Sequence, residues 1–127
     1  MKYFAQLIKT DGGFTADQSF NAPTTGYMVS LAGTEVQFPN YSTMSDEQLE
    51  RECQEYYANG VNWERQGVYF GAWVHKGVRF FEQPILFFDN SINIQDREVA
   101  IAFGHANEQI AIWDVANGKE IRLTDEG

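Results

Sequence analysis

The chain has 127 residues with 43% hydrophobic and 15% aromatic content, enough for one domain, 1–127, with a core that needs no cross-links. Its single cysteine, Cys53, excludes an internal disulfide and multi-cysteine zinc or iron–sulfur sites. Nine Lys and Arg against eighteen Asp and Glu leave a net charge of −9, which argues against direct binding of nucleic acid or an anionic membrane. No apolar run approaches the ~20 residues of a membrane span, and no secretory leader pattern opens the chain, so a cytoplasmic setting is expected.

Residues Lys2 to Lys9 (KYFAQLIK) place apolar side chains on both alternating sets and read as a first strand. The cluster Thr10–Gly13 is a turn, followed by irregular chain with one extended piece at Phe14–Ala16. Gly26 opens GYMVSLAG, a second strand with Tyr27, Val29 and Leu31 on one side. Gly33 turns into a short third strand, Glu35–Phe38, with Val36 and Phe38 facing inward, stopped by Pro39.

Ser45–Gln48 is a capping box, with Asp46 and Glu47 in the first turn where the helix dipole favours negative charge. Leu49, Cys53, Tyr56 and Tyr57 recur at helical spacing, so a helix runs over 46–58, with Gly60 as a left-handed cap. Gln66–Lys76 alternates as a strand with Val68, Phe70, Ala72 and Val74 on one face. A tight turn at Lys76–Gly77 leads into Val78–Phe81 and Ile85–Phe88, broken by Pro84; this hairpin should form the sheet centre.

Asp96 caps a second helix over 96–108 with a stripe of Val99, Ala102, Phe103 and Ala106. Ile110–Val115 and Glu120–Leu123 form a hairpin about a type I′ turn at Asn117–Gly118, and the last four residues should fray. Strands arriving in hairpins predict an α+β fold: an antiparallel or mixed twisted sheet of about six strands with two helices packed on one face.

No phosphate loop, dinucleotide fingerprint or nucleophile elbow is present. Cys53 with His75 or His105 is the one nucleophile–base combination available, yet Cys53 lies on an apolar stripe, where a thiol acts as a small hydrophobe. His105 and Glu108 stand at i,i+3 on the second helix without the further ligands a metal needs, and the acidic pairs Asp46–Glu47 and Asp125–Glu126 lack calcium-loop spacing. No cofactor or metal is therefore expected.

Charge is unevenly spread. Residues 45–58 set Arg51 against Asp46, Glu47, Glu50, Glu52 and Glu55, a net −4. Five acids over ten helical residues span ~15 Å, a density close to one phosphate per ~3.4 Å of a DNA strand. Glu47–Arg51 and Arg51–Glu55 are i,i+4 pairs that partly neutralise the stripe. Trp63, beside Glu64 and Arg65, is either an interface residue or core.

Gly26–Leu31 (GYMVSL), together with Gly71–Val74 (GAWV), Asn93–Glu98 (NIQDRE) and Gln109–Ile121 (QIAIWDVANGKEI), resembles a group of small, acidic, mostly uncharacterised proteins encoded in actinobacterial genomes, phages and mobile elements. The similarity covers about half the chain, in core and turn residues, and carries over no catalytic residue. It implies a bacterial host cell and the class of host-defence inhibitors that includes anti-restriction and anti-CRISPR proteins. The leading expectation is a non-enzymatic acidic protein that occupies the basic, nucleic-acid-binding surface of a protein partner. Its contacts would be Asp46, Glu47, Glu50, Glu52 and Glu55, with Trp63 or exposed rings of the 69–81 hairpin as apolar anchor. Alternatives are a small enzyme with a sheet–helix cleft using His75 or His105 and an acid, or a homodimer formed through the aromatic sheet.

Overall fold

The computed structural model describes residues 3–76 and 83–124. The expected turn at Lys76–Gly77, the strand Val78–Phe81, the acidic pair Asp125–Glu126 and the fraying end fall wholly or partly outside them.

The first element is helical, not extended. Helix α1 (Tyr3–Asp11) buries Phe4, Ala5 and Ile8 and leaves Gln6 in solvent. The buried positions are spaced one and three apart, the stripe of a helix, whereas both alternating sets of KYFAQLIK carry apolar residues. A short run of this kind does not distinguish strand from helix until a neighbour selects one face. Glu50, 8% exposed, does so by accepting the Ala5 amide through Oε1 at 2.9 Å, which satisfies a first-turn donor of α1. Gly12, at φ +81°, then ends the helix as its amide bonds the Ile8 carbonyl at 2.9 Å.

Among the described residues seven strands form one antiparallel sheet: β1 (Gly13–Ala16), β2 (Tyr27–Ser30), β3 (Val36–Phe38), β4 (Val68–His75), β5 (Ile85–Ile94), β6 (Ala111–Asp114) and β7 (Lys119–Arg122). Their order is β1-β4-β5-β2-β6-β7, with β3 also on β5, so the expected central hairpin is indeed central. The β4–β5 ladder runs unbroken from Val68↔Ile92 to His75↔Ile85. Strand β5 continues past Phe88, where the sequence pattern had ended it, because Asp89, Asn90 and Ser91 are buried polar residues inside the sheet.

Both β2 and β3 lie along the same edge of β5. Ser30 pairs with Ser91 and Val36 with Phe88, so residues 31–35 stand opposite only Asp89 and Asn90. Thr34 closes this wide bulge: its Oγ1 donates to the Leu31 carbonyl at 2.8 Å and accepts the Asn90 amide at 3.1 Å. Val36 lies on the same face as Phe38, opposite Phe88, yet is 40% exposed, while Phe38 packs against Phe88 with ring centroids 4.9 Å apart.

Helix α2 (Asp46–Glu55) starts at the expected cap, Ser45 Oγ accepting the Gln48 amide at 3.1 Å, and buries Leu49 and Cys53. It closes in a wider π turn, Tyr56–Gly60, in which the Val61 amide bonds the Tyr56 carbonyl at 3.0 Å. Gly60 is therefore not a left-handed cap; a Cβ there would lie 2.5 Å from the Tyr56 ring. Helix α3 (Arg97–Ala106) starts at Asp96, whose Oδ1 accepts the Val99 amide at 3.0 Å. Its buried positions are Ala100 and Gly104, and Val99 of the expected stripe is 54% exposed. A Cβ at Gly104 would meet Leu123 Cδ1 at 2.6 Å and Ile112 Cγ2 at 2.9 Å, so α3 approaches the sheet on two small residues, Ala100 and Gly104.

The final hairpin carries four loop residues, 115–118, between Asp114 and Lys119. The expected two-residue turn is replaced because Asp114 holds Asn117 by both its amide and its side-chain nitrogen, at 3.2 and 2.8 Å, leaving Gly118 left-handed at φ +61°.

The three helices of the described residues cover one face of the sheet, as anticipated for two. One cluster joins Phe4, Ile8, Leu49 and Cys53 to Phe70, Leu86 and Phe88; a second joins Ala100 to Val29 and Ile112. Among the described residues no helix is long and apolar enough to cross a membrane.

Asn90 ties these parts together. Its Nδ2 donates to Tyr56 Oη at 2.8 Å and to the Gly60 carbonyl at 3.0 Å, and its Oδ1 accepts the Asn62 amide at 2.8 Å. Replacing Asn90→Ala orphans these groups at a 2% exposed position. The expected loss is about 2–4 kcal/mol, read as a lower urea midpoint at unchanged slope.

Candidate binding surfaces

The acidic helix presents fewer acids than its sequence suggested. Glu50 points inward, holding the Ala5 amide and accepting Gln54 Nε2 at 2.6 Å, and this removes it from the expected contact set. Asp46, Glu47 and Glu55 are exposed and Glu52 half-exposed. Asp46 lies 3.8 Å from Lys9 Nζ, and Glu55 accepts Asn59 Nδ2 at 2.9 Å. Arg51, Glu52 and Glu55 share a shallow, solvent-open depression with Ser45 and Gln48. Trp63 is a packing residue: half-buried, its Nε1 donates to the Tyr57 carbonyl at 2.7 Å and its ring lies 5.1 Å from that of Tyr57. It is not an exposed anchor.

The second surface is the sheet face that no helix covers among the described residues. Alternation sends Val68, Phe70, Ala72 and Val74 of β4 toward the helices, and Tyr69, Gly71, Trp73 and His75 the other way. The cross-strand partners set Trp73 beside Phe87 and Gly71 beside Asp89. Trp73, 41% exposed, stacks on Phe87 at 4.3 Å and 11°, with His75 edge-on to the indole at 6.0 Å. Trp113, 45% exposed, belongs to the same face at the other end, opposite Met28.

Asp89 sits between the two aromatic ends. It is 4% exposed, and its Oδ2 accepts Ser30 Oγ at 2.8 Å. Gly71 makes room for it, since a Cβ there would collide with Asp89 Oδ1. Burial pushes its carboxyl up from 3.8 to about 6, opposed by hydrogen bonds from Ser30 and the Trp73 side chain and reinforced by the Glu35 charge. Sequence reasoning missed this residue. The available signal was the polar alternation Asp89, Ser91, Asn93, which continues the strand beyond Phe88 on its helix-free side.

The histidines do not converge on a nucleophile. His75 is exposed on the open sheet face, and His105 is exposed in the last turn of α3. Cys53 is fully buried, and burial, with the charges of Glu50 and Glu52, drives its thiol far above the ordinary range, so the thiolate is suppressed. Among the described residues no three His, Cys, Asp or Glu side chains gather into a metal-holding group.

Two measurements check this geometry. Cys53 should resist alkylation by iodoacetamide in the folded protein and react once urea unfolds it. Asp89 binds its proton more tightly folded than unfolded, so its contribution to stability is complete below 3.8 and lost as the pH climbs through about 6. The loss is on the order of 2–3 kcal/mol. Urea midpoints from pH 4 to 7 should show it as a fall that Asp89→Asn abolishes. Compared with protein-family models, with curated proteins and with solved structures, the chain matches none of them.

Proposed function

We propose that this protein is a non-enzymatic acidic binding protein that occupies the basic, nucleic-acid-binding surface of a protein partner. The observation that carries the reading is the way α2 is held. Leu49, Cys53 and the inward Glu50 fix one side of the helix to the core and to α1. Asp46, Glu47, Glu52 and Glu55 are left along the outer side of a rod whose orientation is set before a partner arrives. A preformed row of carboxylates loses little freedom on meeting Lys and Arg, and an overall charge of −9 speeds the encounter. The resemblance to proteins of phages and mobile elements points to nucleases of host defence as the partner class.

The test is affinity for purified defence nucleases across a salt series, with and without the nuclease's own DNA or RNA. Binding should weaken with salt and compete with the nucleic acid. Reversing Glu47→Lys, Glu52→Lys and Glu55→Lys together should slow association and weaken binding at least about tenfold. Binding indifferent to salt and to the triple reversal would remove the reading.

A further inference from the structure

We infer that the helix-free sheet face holds a seat for an arginine side chain of the protein partner, built on Trp73. The inference rests on the acidic-binding reading above and names a contact on the opposite side of the sheet from α2.

Three features converge on the Trp73 ring. Phe87 stacks on one face of the indole at 4.3 Å. On the other side the cross-strand neighbour is Gly13 of β1, which has no side chain to cover the ring. No larger residue fits there, because a Cβ at Gly13 would collide with the Ala72 carbonyl. On the β1 side no cross-strand side chain among the described residues meets the indole, and the ring is 41% exposed although it sits inside a strand.

The third feature is charge. The Asp89 carboxylate, which Ser30 holds at 2.8 Å, is the diagonal cross-strand neighbour of Trp73 on the same face, since it stands opposite Gly71. A buried acid beside the ring draws a cation toward it. Glu35 adds a second acid: its Oε1 accepts Gln37 Nε2 at 2.8 Å, and Gln37 is the cross-strand partner of Phe87. Arg122 of the same face stands away on β7, at the far edge, 3.5 Å from Glu120. A flat cation that stacks on one side and is drawn by two acids fits this arrangement. A guanidinium meets that description better than an ammonium, which is compact and more strongly hydrated. A second copy of this chain, itself at −9, is a poorer occupant.

The experiment is an NMR titration of the intact protein with a short oligo-arginine peptide and a matched oligo-lysine peptide, following the indole N–H signals of Trp63, Trp73 and Trp113. Oligo-arginine should move the Trp73 signal and oligo-lysine should move it less. Trp73→Ala should weaken oligo-arginine binding about fivefold, Trp73→Phe should retain part of it, and Trp113→Ala should leave it unchanged. Because the wild-type signal is read directly, the result stands even where Trp73→Ala folds poorly. A Trp73 signal that stays still while shifts are confined to α2 would overturn the seat and leave the acidic-binding reading intact. An equal response to both peptides would overturn the assignment to arginine. Loss of nuclease binding in the α2 reversal alone, with the Trp73 response preserved, would support two separate contacts.

Discussion

The structure depends on how one buried amide is satisfied. The Asn90 side chain bridges Tyr56 Oη, the Gly60 carbonyl and the Asn62 amide, while its backbone joins Leu31 and Thr34 across the bulge. Tyr56 Oη in turn donates to the Thr34 carbonyl at 2.7 Å. A central strand, the end of α2 and the bulge between β2 and β3 are thereby locked to one another through one side chain that is 2% exposed. Bonds to the buried Asn90 amide are costly to leave unmade, so the network selects one arrangement of three segments that hydrophobic burial alone would leave free to slide.

That arrangement gives the molecule two unlike outer surfaces. Beneath the sheet the helices are sealed by rings, with Phe70 and Phe88 edge-to-face at 5.2 Å and Phe4 and Phe14 stacked at 5.0 Å. The outer side of α2 remains acidic because the inner side of the helix is committed to this core. On the far side of the sheet Trp73, Phe87 and Trp113 have no helix to cover them among the described residues, and a buried carboxylate lies between them. On the proposed function, an exposed aromatic face with acid beneath it and an acidic helix opposite would be two ways of meeting a cationic partner. They differ in kind: long-range attraction from α2, short-range stacking on the sheet.

Some of this was readable residue by residue. Ser45 and Asp96 cap where their side chains said they would, because an N-cap is settled by atoms three residues away. The faces of β4 follow from alternation for the same local reason. The first helix was misread because apolar residues occupy both alternating sets, and its true partner, Glu50, lies 45 positions away. The stripe of α3 was turned because Gly104 is the point of closest approach to Ile112 and Leu123. Among the acids of α2, nothing in the spacing separated Glu50 from its neighbours; only the arrival of α1 did.

The amino-acid order by itself determined the class of fold, the two N-caps, the inner face of the central hairpin and the acidity of one helix, all properties set by neighbours within a few residues or by composition. Tertiary structure alone decided which acid is structural, which tryptophan is free and where a carboxylate is buried. Glu50 is claimed by an amide 45 positions away on α1, Trp63 by the Tyr57 carbonyl, and Trp73 stands beside a glycine sixty positions earlier on an adjoining strand and is 41% exposed.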